Sequence, residues 1–136
     1  PETMQKAPTY RNDDVVAAVV QFLTEAREKA LSYGIDAASI ILDPGIGFGK
    51  TFPHNLSLLR ALPDLIELGA PVMIGHSRKA FLSCINESPS KTTDRIVPGL
   101  AITSLARQAG AMLFRVHEPR QHWEAVRMAE KIIGSC

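Results

Sequence analysis

Little in this 136-residue sequence is in excess, and its shortages narrow what it can be. There are two cysteines, Cys84 and Cys136, far apart and outside any CxxC pair, so neither a disulfide framework nor a zinc site is implied. We expect two reduced thiols. No apolar run approaches the length needed to cross a bilayer, and Pro1-Glu2-Thr3-Met4-Gln5 lacks the basic and apolar regions of a signal peptide. The net charge is only +1, with both signs interspersed, which leaves no broad positive field for a nucleic-acid backbone. The chain therefore reads as cytoplasmic, with no membrane or nucleic-acid partner, and Asn55-Leu56-Ser57 and Asn86-Glu87-Ser88 match the glycosylation pattern by chance.

What is present is an ordinary globular balance, 46% apolar and 21% charged, on a chain long enough for one core and too short for two ordinary domains. Asn12, Asp13 and Asp14 can cap a helix with Val15, Val19, Phe22, Leu23, Ala26 and Ala30 on its inner face, closed by Gly34. Ser39 to Leu42 is a short apolar strand covered on both sides, ending at Asp43-Pro44-Gly45. The pattern predicts a helix from Asn55 to Leu68, with Leu56, Leu59, Leu62 and Ile66 inward and Pro63 as a point of kinking or division. A second buried strand, Val72 to Ile74, follows Pro71 and stops at Gly75. Next come a short helical stretch around Ala80 to Cys84, a polar loop from Asn86 to Asp94 and a helix from about Pro98 to Gln108. A third strand, Met112 to Val116, leads through Pro119 into a last helix with Trp123, Val126, Ala129, Ile132 and Ile133 on one side. This α-β-α-β-α-β-α order demands a parallel sheet with helical crossovers, either doubly wound or a β/α barrel.

Each apolar strand stops at polar groups: Asp43, then Ser77-Arg78-Lys79, then Arg115 and His117. Parallel strands bring these ends to one face, where β/α proteins place their ligands. Arg115 and His117 are two apart and should enter the hollow together, with Val116 turned toward the helices. Asp43 can accept two parallel N–H bonds from a heterocycle, while Lys79 and Arg115 can hold a carbonyl oxygen or a diphosphate. Taken singly, Asp43 could cap a turn, Lys79 could be solvated and Arg115 could pair with Glu118. The coincidence of three charged strand ends favours a shared pocket.

The loop Gly45-Ile46-Gly47-Phe48-Gly49-Lys50-Thr51 is not a Walker A loop, because Pro44 stands where its first glycine should. Nor is it a dinucleotide fingerprint, which would need glycine where Lys50 stands. Its glycines suit a tight turn that presents Phe48 to the pocket or tucks it into the core. His54 and His76 lack partners at metal-ligand spacing, so surface or supporting positions are expected.

Asp43 to Lys50 with His54-Asn55, Ser77-Arg78-Lys79 and Arg115-Val116-His117 together resemble the signatures of the dihydropteroate synthase family, in order and at suitable separations. Pro1 to Gln5 is similar to a segment after that family's fifth barrel strand. The resemblance implies a TIM-type (β/α)8 barrel of which residues 1–136 are the C-terminal part of a single domain, about three strands with their helices. It implies a folate-pathway transferase that joins p-aminobenzoate to 6-hydroxymethyl-7,8-dihydropterin diphosphate. Asp43, Lys79, Arg115, Val116 and His117 would bind the pterin diphosphate, with Lys79, Arg115 and His117 catalytic. Phe48, Ser77 and Arg78 would form the aminobenzoate side. Magnesium would be bound by the early barrel loops before Pro1, with no metal ligand in this segment, and the whole enzyme would be a homodimer. Ala80, His76 and Glu118 depart from the usual pattern, where a hydroxyl residue, a small or aliphatic one and aspartate are common. A pterin-binding methyltransferase domain fits Ser77-Arg78-Lys79 and Arg115-Val116-His117 less well. A noncatalytic pterin-binding paralogue would differ in the early loops. With two strand edges bare, the isolated chain is expected to be inactive and poorly folded or associated.

Overall fold

A computed structural model describes residues 10, 14–85 and 95–134. The expected loop from Asn86 to Asp94 lies outside the described residues, as does Cys136, while Cys84 is an exposed free thiol. The order is α1 (Val15–Ser32), α2 (Phe52–Arg60), α3 (Leu62–Ile66), β1 (Met73–Ile74), α4 (Ile96–Gln108), β2 (Leu113–Phe114) and α5 (Pro119–Ile133). Short 3-10 turns at Ala37–Ser39 and Ala80–Ile85 fill two of the connections. None of the described helices is long and apolar enough to cross a membrane.

Asp14 starts α1 by accepting the Ala17 N–H at 2.9 Å, one of the donors that a first helical turn leaves unpaired. The inner face is narrower than its periodicity suggests. Val15 and Leu23 are buried, but Phe22 is 67% exposed and Ala26 is exposed as well. Thr51 and His54 cap α2 reciprocally, so this helix begins before Asn55. Pro63 divides the helical segment as anticipated: a helix running on through it would drive its ring into the Leu59 carbonyl, and the break falls at Ala61. The buried residues are Asn55, Leu58, Leu62 and Leu65, so the inner face is rotated from the expected one and carries a polar residue.

β1 and β2 are parallel, pairing Met73 with Leu113 and Ile74 with Phe114. The first expected strand contracts to one parallel bridge, Leu42 to Val72, and Ala37–Ser39 winds into a turn capped by Asp36. Residues on one side of this sheet pack on helices: Ile40, Leu42, Val72 and Ile74 join Leu23, Leu62, Leu65 and Ala106 in the larger core cluster. Strand alternation puts Ile41, Met73 and Leu113 on the other side, where Ile41 is 50% exposed and Leu113 36%. The Ile40 to Leu42 segment is thus covered on one side of the sheet and open on the other, contrary to the reading of a strand buried on both. α5 lies along α4 through His122 and Ala129, while Trp123, expected inward, is 59% exposed and has Arg127 stacked over its ring.

Candidate active site

The loop after Leu42 turns at once, because Asp43 Oδ1 accepts the Gly45 N–H at 2.8 Å. Gly45, Gly47 and Gly49 all take positive φ, a region that a Cβ makes costly. Asn55, fully buried, ties this loop to α2: its Oδ1 accepts the Gly47 N–H at 2.6 Å and its amide donates to the Thr51 carbonyl at 2.8 Å. Lys50 reaches back to the Gly45 and Phe48 carbonyls at 3.1 and 3.2 Å. Asn55→Leu keeps the bulk but orphans these backbone groups, so urea unfolding should show a loss of about 1–3 kcal/mol.

Lys79 leaves the end of β1 and bends over the loop. Its Nζ donates to the Ile46 carbonyl and sits 3.7 Å from the centre of the Phe48 ring. Phe48 is therefore a half-buried floor for a cation rather than a core residue. Burial pulls the Lys79 ammonium down to about 8; Asp43 opposes this, while Arg115 and Lys50 add to it. A Cβ on Gly47 would collide with the Lys79 side chain, so this glycine is also needed for room.

Arg115 follows β2 and lies across β1, with Nη2 3.9 Å from Asp43 Oδ2. Gly75 makes that crossing possible, because a Cβ there would stand 2.7 Å from the guanidinium. Beside it, Ser77 Oγ lies 3.1 Å from His117 Nδ1 and 3.2 Å from Glu118 Oε2. Arg78, the one non-glycine residue with positive φ among those described, donates from Nε to Glu118 Oε1 at 2.6 Å. Burial pushes the Glu118 carboxyl up, but hydrogen bonds from Arg78 and Ser77 outweigh it and hold the group below its usual value. Glu118 thus pairs with Arg78 and Ser77, and Arg115 with Asp43.

A cavity of about 490 Å³ opens between these groups, and every candidate residue except Asp43 lines it: Phe48, Ser77, Arg78, Lys79, Arg115, Val116 and His117. Asp43 stands at its edge and lines the adjoining hollow with Lys50 and Pro44. Val116, half-buried between exposed Arg115 and His117, borders the same cavity. The sequence reading missed Gly75, whose isolated position after an apolar run is the signal that a side chain crosses there. Asn55 was named there only as part of the signature, without its role of tying the glycine loop to α2. His76, expected at a surface or supporting position, is wholly buried.

Residues 1–117 match the family described as pterin binding enzyme. The chain belongs to that family. The chain is 37% identical to the dihydropteroate synthase of Escherichia coli K12, an alignment that takes in 99% of this chain and 46% of that protein. It thus spans under half the length of the relatives it matches. Two structures of Xanthomonas albilineans dihydropteroate synthase superpose closely. The one with 4-aminobenzoic acid gives a TM-score of 0.88 at 38% identity, over 96% of this chain and 48% of that one. The one in complex with 7,8-dihydropteroate gives 0.87 at 39%, over 95% and 48%. The parallel strands with helical crossovers are therefore part of a fold of that type.

Proposed function

We propose that this chain is the C-terminal part of a dihydropteroate synthase, a segment of a (β/α)8 barrel that joins p-aminobenzoate to 6-hydroxymethyl-7,8-dihydropterin diphosphate. The observation that carries this reading is the convergence of Lys79, Arg115 and His117 on one cavity with the Asp43 carboxylate at its edge. Asp43 accepts N–H bonds from the pterin ring, and Lys79 faces its carbonyl oxygen. Arg115 and His117, with the Val116 backbone between them, hold the diphosphate. The bond from the pterin methylene to the diphosphate oxygen breaks, its electron pair leaves with the diphosphate, and the arylamine nitrogen forms the new bond and sheds a proton. Fixed cations favour that departure because their charge is in place before it develops on the leaving group. Phe48, Ser77 and Arg78 form the aminobenzoate side, in keeping with the relative whose structure holds 4-aminobenzoic acid.

The family resemblance also calls for magnesium. Among the described residues no three His, Cys, Asp or Glu side chains gather as a metal site, and the mouth presents mainly cations. The described residues do not offer a fitting ligand set, and the ligand is proposed to come from the early barrel loops of the whole enzyme. The parent enzyme is read as a cytoplasmic homodimer. Exposed Val97 and Leu105 on α4 and Met128 and Ile132 on α5 support a subunit contact there.

A chimera in which this chain replaces the matching part of the Escherichia coli enzyme tests the reading. It should form dihydropteroate from the two substrates. A folded chimera that binds pterin without condensation would overturn the reading of this segment, and methyl transfer from methyltetrahydrofolate would indicate the methyltransferase domain.

A further inference from the structure

Behind the cavity lie three buried polar side chains that the proposed reaction does not use. His76 and Thr103 are 0% exposed and His122 3%, and they come from the end of β1, from α4 and from α5. His76 Nε2 is 2.8 Å from the Gly99 carbonyl, which can only accept, so that nitrogen carries the proton. Thr103 Oγ1 stands 3.1 Å from the same nitrogen and therefore accepts there too. Its own proton is left for His122 Nδ1, at 2.7 Å. One hydroxyl thus orders both imidazoles, each neutral with its hydrogen on Nε2.

Each histidine is fastened to the cavity rim. Ser77 follows His76 directly, and its hydroxyl meets His117 and Glu118. The His122 N–H donates to the Glu118 carbonyl at 3.2 Å, one helical turn before it, and the Glu118 carboxylate holds Arg78. We propose that Thr103, through His76 and His122, is a positioning residue that sets Ser77 and the Arg78–Glu118 pair at the spacing the aminobenzoate carboxylate requires. The proposal rests on the dihydropteroate synthase reading and concerns residues that touch neither substrate.

Thr103→Val keeps the branched shape and removes the hydroxyl; Thr103→Ser restores it. Assayed on the full-length polypeptide that carries this chain, Thr103→Val should raise KM for aminobenzoate about tenfold while kcat and KM for the pterin diphosphate stay within about twofold, and Thr103→Ser should return KM toward wild type. Equal losses for both substrates, or no rescue by serine, would show a merely structural role. Imidazole nitrogen NMR should find both histidines with the proton on Nε2 in the wild type, and in Thr103→Val the Arg78 Nε–H and His117 ring signals should move. If those signals stay in place the proposal is overturned, whatever the turnover. A wild type that makes no dihydropteroate instead overturns the function reading, and the NMR result still decides the positioning role.

Discussion

Arg115→Ala should lower kcat/KM for the proposed dihydropteroate formation by about 100- to 1,000-fold, the range seen when one preorganised charge is removed from a reacting centre. The loss is large because the guanidinium works in two directions. Its Nη2 faces Asp43 Oδ2 at 3.9 Å, and the rest of its fork borders the cavity where the departing diphosphate is placed. Removing it frees Asp43 from its cation and strips the leaving group of a partner. Arg115→Lys should recover a minor part, since an ammonium cannot make two parallel hydrogen bonds and the space beside Gly75 is shaped for a planar group. Steady-state kinetics with the pterin diphosphate varied would check both variants. A loss under tenfold in Arg115→Ala would remove this residue from the proposed chemistry.

Acid should destabilise the fold by about 3 kcal/mol through His76 alone. Burial holds its imidazole down to about 4, helped by the nearby Lys79 ammonium, while the Gly99 carbonyl opposes the shift. In the unfolded chain the same ring takes up its proton near 6.5. Between those values the unfolded state binds more protons than the folded one. The contribution is therefore complete above about pH 6.5, declines as the pH falls through the window and levels off below about 4. Burial also lowers His122, with Glu118 opposing, so both rings act in the same direction. Urea unfolding at several pH values would show the slope, and His76→Gln should flatten it. An equally steep acid loss in that variant would place the effect elsewhere.

The parts of the site visible in the sequence are those whose chemistry is local. Asp43, Ser77-Arg78-Lys79 and Arg115-Val116-His117 each follow an apolar run, and parallel strands must deliver such ends to one face. Strand lengths were overestimated because pairing belongs to two segments at once: Ser39 to Leu42 has strand composition, yet only Leu42 finds a bridge. The inner faces of α1 and α5 were overdrawn for a related reason. Phe22 and Trp123 obey the helical period, but both stay mostly exposed. The His76, Gly99, Thr103 and His122 grouping was beyond reach, since its members are up to 46 positions apart and follow no spacing rule. Histidine after an apolar strand looks like a surface residue until its partners are known.

The bare side of the sheet, with Ile41 and Leu113 open, also sets the medium in which the mouth operates. Two unit charges about 4 Å apart attract by about 1 kcal/mol in bulk water and by about 4 kcal/mol where the effective dielectric constant has dropped to about 20. Asp43 and Arg115 stand near that separation, both partly exposed at the rim of an open trough. Whatever roofs the trough therefore acts as an amplifier, strengthening every ionic contact above it without touching a charged atom.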